Sequence, residues 1–284
     1  MAIEKIAVIG AGTMGHGIAQ VAAQAGYTVT LEDVNEDFVG RGLSRIKDNL
    51  EKGLERGKVT GDEMQATLAR IRTSTDLQDA VADADLIIEA VIEKLDAKQK
   101  LFGELDRICK PETILGTNTS SLSVSAIASA ATKAERVIGL HFFNPVHIMK
   151  LLEVVVGHET SRGTVAAALE FAKRIGKEAI TVKDTPGFAT SRLGVALGLE
   201  AIRMLEQGVA SAEDIDKAMT LGYNHPMGPL RLTDLVGLDI RLHIADYLFA
   251  ELGSEVFRAP DLLRQKVAEG KLGKKTGVGF YEWE

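Results

Sequence analysis

Lys5-Ile6-Ala7-Val8-Ile9 runs directly into Gly10-Ala11-Gly12-Thr13-Met14-Gly15. A continuous apolar run closed by glycine reads as a strand buried on both faces, as in a parallel sheet. From Met14 to Ala25 the apolar residues recur at helical spacing among alanines, and Gly26 supplies the left-handed residue that ends such a helix. Thr28-Val29-Thr30-Leu31-Glu32-Asp33 then reads as a second strand. Residues 5–33 are therefore expected to form one strand–helix–strand unit.

The turn inside that unit has the composition of an anion cradle. Gly10 makes the tight turn, Gly12 lets backbone approach a pyrophosphate, and Gly15 lets the helix pack on the strand. The helix N-terminus then faces the anion, so Gly10, Gly12, Thr13, Met14 and Gly15 are expected around a dinucleotide. Asp33 follows Gly12 by 21 residues, where a carboxylate accepts both ribose hydroxyls of an adenosine and repels a 2′-phosphate. This favours NAD over NADP, with Glu32 as a competing acid and simple solvation of a strand-end carboxylate as the bland alternative.

Further along, Asp37 to Lys58 is a charged amphipathic stretch that looks like two helices, with Thr60-Gly61-Asp62-Glu63 able to form a capping box for the second. It reads as an insertion between strands. Short apolar runs at Asp85 to Ala90, Thr113 to Gly116 and Val137 to Phe142 extend the parallel sheet, and Leu151 to Val156 and Ala179 to Val182 look like added strands. At Asp184-Thr185-Pro186-Gly187 the pattern changes: from Phe188 onward the periodicity is helical, with Ser211 and Asp214 marking a helix start. The expected architecture is α/β, a Rossmann-type doubly wound parallel sheet over 1–185 followed by an all-α domain over 186–284. A helical unit of that size with an aliphatic core is expected to dimerise.

Composition narrows the function. The 284 residues carry a net charge of −7, which opposes a nucleic-acid backbone and offers no polybasic membrane surface. No apolar run is long enough to span a bilayer, and the start of the chain lacks a secretory signal. Cys109 is the single cysteine, so no intramolecular disulfide or cysteine-based zinc site can form, and a soluble protein of a reducing cytoplasm is expected. The remaining histidines show no metal-ligand spacing, and a metal is not expected.

Two segments point to proton chemistry. His141-Phe142-Phe143-Asn144-Pro145 ends a strand, where ligands of a doubly wound sheet sit and where a histidine exchanges protons near neutral pH. Taken singly, such a histidine is more often structural. Glu153 stands inside the apolar strand Leu151 to Val156, where an unpaired carboxylate is costly, so it is expected to have a partner, His141 being the obvious one. Asn118-Thr119-Ser120-Ser121 also follows a strand; it reads equally as hydroxyls for a ligand or as a helix cap before Val124 to Ala131.

Taken together and in order, these segments resemble the 3-hydroxyacyl-CoA dehydrogenase family, in particular its small bacterial 3-hydroxybutyryl-CoA members. The resemblance covers essentially the whole chain. It rests on Gly10 to Gly15, Asn118 to Leu122, His141 to Pro145, Asp184 to Phe188, Pro226-Met227-Gly228-Pro229 and Lys275 to Tyr281. It implies NAD(H)-dependent interconversion of (S)-3-hydroxyacyl-CoA and 3-ketoacyl-CoA, in a cleft between a nucleotide domain and a dimer-forming helical domain. The resemblance carries the catalytic histidine onto His141, its acid onto Glu153, the substrate-binding serine onto Ser120, and a cofactor-side acid and lysine onto Glu93 and Lys98. Asn118 is placed with the cofactor and Asn144 with the substrate. The family's usual Asn-Arg after Pro-Gly-Phe is Ser191-Arg192 here, which makes Ser191 the corresponding substrate contact. Coenzyme A phosphates on an acidic protein call for a local basic cluster, and Lys52, Arg56 and Lys58 supply one, with a solvated helical face as the alternative.

Two other readings compete: a nucleotide-binding protein that senses redox state or serves structurally, and a dehydrogenase for free hydroxy acids. The pairing of His141 with Glu153 argues against the first. The second requires no coenzyme A site.

Overall fold

The computed structural model describes residues 3–283. Its chain divides into two compact units, Met1–Thr185 and Pro186–Glu284. The first unit opens with β1 (Lys5–Ile9), α1 (Gly15–Gln24) and β2 (Thr28–Glu32), then α2 (Glu36–Glu55), α3 (Gly61–Ala69), β3 (Ile71–Ser74) and α4 (Leu77–Val81). It continues through β4 (Leu86–Glu89), α5 (Leu95–Ile108), β5 (Ile114–Thr117), α6 (Val124–Ala128), β6 (Val137–Phe142), β7 (Leu151–Val156), α7 (Arg162–Arg174) and β8 (Glu178–Lys183).

The strands form one sheet in the order β3-β2-β1-β4-β5-β6-β7-β8. Between β1 and β4 the order reverses, and the glycine turn after β1 opens at that switch point, where doubly wound sheets hold ligands. Pairing is parallel except between β6 and β7, which run antiparallel. The short link between them contains no crossover helix, and only an antiparallel return can be made without one. Ile6, Val8, Ile88, Leu140, Phe142, Leu152 and Val154 belong to one buried core with apolar residues of the flanking helices.

Two expectations are corrected in this unit, and one strand is added to those expected. Within residues 37–58 there is one helix, α2, which ends at Glu55 and is capped by Asn35 accepting from Phe38 N; the second helix, α3, starts only after Thr60, whose capping box with Glu63 is complete. Strand β3 escapes a hydrophobicity reading because Ile71-Arg72-Thr73-Ser74 is an edge strand with one apolar residue, partly open to solvent. Helix α6 ends at Ala128 and takes its cap from Ser123, which accepts from Ala126 N, rather than from residues 118–121.

The second unit comprises α8 (Thr190–Glu206), α9 (Ala212–Gly222), α10 (Pro229–Val236), α11 (Leu238–Leu252) and α12 (Asp261–Ala268). Ser211 caps α9 through Asp214 N. Val195, Leu199, Ile202, Leu230, Leu238 and Leu248 make an aliphatic core. The chain end is tied back onto α10: buried Asp234 accepts from Phe280 N at 2.8 Å, Tyr281 N at 2.9 Å and the Trp283 indole at 2.8 Å. Asp216 accepts from Leu230 N, Arg231 N and the Tyr281 hydroxyl. No helix among the described residues is long and apolar enough to cross a membrane.

Candidate active site

At the switch point two glycines have no substitute. Gly10 has φ +99, and a Cβ there would stand 2.7 Å from the Ala90 carbonyl oxygen; a Cβ on Gly15 would stand 1.6 Å from the Gly10 carbonyl oxygen. The turn is therefore folded as tightly as backbone permits. Gly12 differs, being exposed with nothing within 4 Å of where its Cβ would be, which leaves its backbone approachable. Beside it, Asp33 accepts from Ala11 N at 2.8 Å and Val34 N at 2.8 Å. Asp33 shares a cavity of about 290 Å³ with Ala11, Gly12, Thr13, Phe38, Arg41 and Arg45. These features fit the adenosine and pyrophosphate half of a dinucleotide. Met14 is half-buried against the core.

Glu32, the competing acid, points elsewhere. It is 6% exposed, and burial together with the charges of Asp33, Asp76 and Glu104 pushes its carboxyl up to about 7. The folded state thus resists its ionisation. Its contribution to stability is full below the ordinary value of 4.5, declines as pH rises toward about 7, and is gone above that. Glu32→Gln removes the penalty, so the variant is expected to melt a few degrees higher than the parent at pH 8 and nearly level with it at pH 4.5. Thermal melts at both pH values check this, and an equal gain at both would dissociate the effect from Glu32 ionisation.

The proton-transfer candidates come from the antiparallel pair. His141 and Glu153 are directly opposite in the β6–β7 register, so their side chains stand on the same sheet face. His141 Nδ1 lies 2.6 Å from Glu153 Oε2, with His141 6% and Glu153 0% exposed. Phe143 packs on the imidazole with ring centroids 4.4 Å apart. The partner expected for Glu153 is therefore present. Asn118 Oδ1 accepts from Phe142 N at 2.9 Å, pinning the end of β5 to the strand that carries His141. Asn144 is exposed just beyond, before a cis Pro145.

Glu93 organises the 118–121 segment. It accepts from the Thr119 hydroxyl at 2.6 Å, Ser120 N at 2.8 Å and Ser121 N at 3.3 Å. Burial opposes its ionisation, but Lys98 and the hydrogen bonds from Thr119 and Ser120 outweigh it and hold the carboxyl below its usual range. Lys98 is 1% exposed and sits between Glu93 at 3.2 Å and Glu89 at 2.5 Å. Its position suits a support for Glu93 rather than a group offered to solvent.

Four participants escape the sequence reading. Glu89, wholly buried, holds Lys98 and takes the Thr117 hydroxyl at 2.7 Å; an acid ending an apolar strand nine residues before a lysine was the available signal. Asp184 accepts from the Ser123 hydroxyl, Val124 N and Ser125 N and so holds the start of α6. Arg41 and Arg45 reach the Asp33 cavity one helical turn apart on α2, a pattern hidden among that helix's many charges. Lys52 in the last turn of the same helix and Arg56 just past its end are exposed and line a groove of about 450 Å³ with Lys58, Asn49 and His147. Ser191 is half-buried on the first turn of α8 in the second unit. Among the described residues there is no group of three or more His, Cys, Asp or Glu able to hold a metal ion.

Comparison with known proteins adds independent findings. The family model described as 3-hydroxyacyl-CoA dehydrogenase, NAD binding domain, matches residues 5–185, and that of the same family's C-terminal domain matches residues 187–283. The chain is 47% identical to a probable 3-hydroxybutyryl-CoA dehydrogenase of Bacillus subtilis, covering 100% of this chain and 99% of that protein. It is 44% identical to the mitochondrial hydroxyacyl-coenzyme A dehydrogenase of Sus scrofa, covering 99% and 92%. The crystal structure of (S)-3-hydroxybutyryl-CoA dehydrogenase from Ralstonia eutropha superposes with a TM-score of 0.97 at 40% identity, covering 100% of both chains.

Proposed function

Because the chain belongs to the 3-hydroxyacyl-CoA dehydrogenase family, we propose that it interconverts (S)-3-hydroxyacyl-CoA and 3-ketoacyl-CoA with NAD(H), 3-hydroxybutyryl-CoA and acetoacetyl-CoA being its working pair. The observation that carries the reading is the buried His141–Glu153 pair at the carboxyl end of the sheet. Bound NAD(H) supplies the hydride acceptor or donor for C3. His141 takes the proton of the 3-hydroxyl during oxidation and returns it to the ketone during reduction. Nε2 is the exchanging atom, because Nδ1 is held by Glu153, which fixes the orientation of the ring.

The remaining roles follow from placement. The turn at Gly10, Gly12, Thr13, Met14 and Gly15 cradles the pyrophosphate and Asp33 takes the ribose hydroxyls. Glu93, held by Lys98, and Asn118 order the nicotinamide side by fixing the 118–121 segment and the end of β6. Ser120 and Asn144 are assigned to the acyl group, and Ser191, in the second unit, is kept as a substrate-contact candidate. Residues 186–284 supply the surface for a homodimer, for which exposed Leu193, Leu235 and Ile240 are suited. The acidic net charge and the single, half-buried Cys109 accord with a reducing cytoplasm and no nucleic-acid partner.

Acetoacetyl-CoA tested beside free acetoacetate, with NADH absorbance followed, tests the function: only the thioester is expected to turn over. Equal use of acetoacetate would favour a free hydroxy-acid enzyme, and inertness toward both would leave a binding protein.

Lys52 and Arg56 are assigned to the coenzyme A phosphates, since they share one groove with Lys58. Charge reversal at both is expected to raise KM for acetoacetyl-CoA about tenfold at low salt, shrinking as salt screens the contact. An unchanged KM at low salt returns the cluster to a solvated helix face.

A further inference from the structure

The link between β6 and β7, residues 143–150, carries Phe143, which packs on the His141 imidazole, and the exposed Asn144. Its path is fixed from separate sides. At its start, Phe142 N is held by Asn118 Oδ1. Midway, Val146 is 2% exposed and fills a slot on α1 that exists because Gly17 has no side chain: a Cβ on Gly17 would stand 2.8 Å from Val146 Cβ. On the far side is Lys177, the residue before β8, whose Nζ donates to Val146 O at 2.5 Å and to Met149 O at 2.6 Å.

Those carbonyls suit such a donor. Ile148 N and Met149 N both turn back to Pro145 O, so residues 145–149 close a single turn. As at a helix C-terminus, its later carbonyls have no onward turn to bond, and an ammonium with several N–H groups can take two of them at once. Lys177 is half-buried, burial pulls its ammonium below the usual lysine range, and no carboxylate among the described residues pairs with it. A lysine held in this way gives up solvation and rotamer freedom, which its bonds to the link must offset.

Phe143 and Asn144 are strung between two fixed residues, Phe142 and Val146, with Pro145 restricting the one remaining position. We propose that Lys177 is a positioning residue for the proton transfer: by holding the carbonyls of Val146 and Met149 it fixes the link, and the link keeps Phe143 on the His141 imidazole. This rests on the reading that His141 exchanges the substrate proton. Lys177 also borders an open cavity of about 490 Å³ with His147, Ile148, Met149 and Lys150, so a small amine can reach the place of its Nζ.

The test begins with Lys177→Met, which keeps the stem and loses the donors. Its kcat for acetoacetyl-CoA reduction is expected to fall about tenfold or more, the scale on which a small misplacement near the reacting atoms is felt. Kd for NADH, by fluorescence titration, should stay within about twofold of the parent, because the glycine turn and Asp33 are held by contacts of their own. Lys177→Arg, which keeps charge and donors, should retain about a third of kcat or more. In Lys177→Ala, methylammonium is expected to restore kcat saturably, whereas tetramethylammonium, of the same charge but without N–H, restores nothing. Val146→Ala loosens the link from the α1 side and should lower kcat at unchanged Kd, its loss not adding to that of Lys177→Met in the double variant, since both act through one segment. A kcat within about twofold of the parent in Lys177→Met or in Val146→Ala overturns the proposal. So does a loss of NADH affinity that matches the loss of kcat, an equal response to the two ions, or full additivity in the double variant. The parent's own reduction of acetoacetyl-CoA separates the two levels: without it the underlying function fails; with it and an indifferent Lys177→Met, this proposal alone fails.

Discussion

His141→Ala is expected to lower turnover of acetoacetyl-CoA by about two to four powers of ten while leaving NADH affinity within a few-fold of the parent. The size follows from losing a positioned acid–base, and the selectivity from placement. His141 lies on β6, whereas the glycine turn and Asp33 are built from β1, α1 and β2. Removing the imidazole also takes away the group that faces Glu153 Oε2 at 2.6 Å, where Glu153 is 0% exposed. The lost buried hydrogen bond and the cavity left by the ring cost stability, so the variant is expected to melt below the parent. Glu153→Gln keeps a hydrogen-bonding side chain opposite His141 and should lose less turnover than His141→Ala. Steady-state kinetics with NADH fluorescence titration and a melt on each variant make the comparison. Turnover retained in His141→Ala would remove it from catalysis.

Much of this site could be read before any coordinates because its parts are local. A glycine turn between strand and helix is legible from its place in the chain: Gly15 answers to the Gly10 carbonyl a few residues away, although Gly10 itself is also held by the distant Ala90. The His141–Glu153 pair could be anticipated because a carboxylate in an apolar strand demands a partner. What could not be read is pairing across long sequence distances where neither residue looks out of place. Asp184 passes as part of a domain boundary, yet it holds three groups of residues 123–125. Glu89 ends a strand unremarkably until Lys98 folds onto it. Strand β3 was illegible for another reason: an edge strand buries little, so Ile71 to Ser74 carries almost no hydrophobic signature. Arg241 is the opposite case, an ordinary arginine in a helical stretch that only packing against Gly194 and Gly198 shows to be enclosed.

The parent enzyme is expected to use NADH about two powers of ten more efficiently than NADPH, and Asp33→Ser to close most of that gap. Asp33 is fixed by Ala11 N and Val34 N at 2.8 Å each, so its carboxylate cannot swing aside for a 2′-phosphate. Two like charges about 4 Å apart near a protein surface repel by about 4 kcal/mol at an effective dielectric of ~20, which bounds the discrimination near three powers of ten. Arg41 and Arg45, in the same cavity, offset part of that repulsion, which places the expected preference below the bound. The same pair decides what the variant does. Without the carboxylate, two guanidiniums already line the space a 2′-phosphate would enter, and serine still offers an oxygen to Ala11 N. NADPH efficiency should therefore rise by about one to two powers of ten in Asp33→Ser, while NADH efficiency falls as the ribose loses its acceptor. Adding Arg41→Ala to Asp33→Ser should reverse much of the NADPH gain. If Asp33→Ser leaves the ratio of the two efficiencies where it was, the ribose is read by another group, and the cavity beside Gly12 is not where the adenosine half lies.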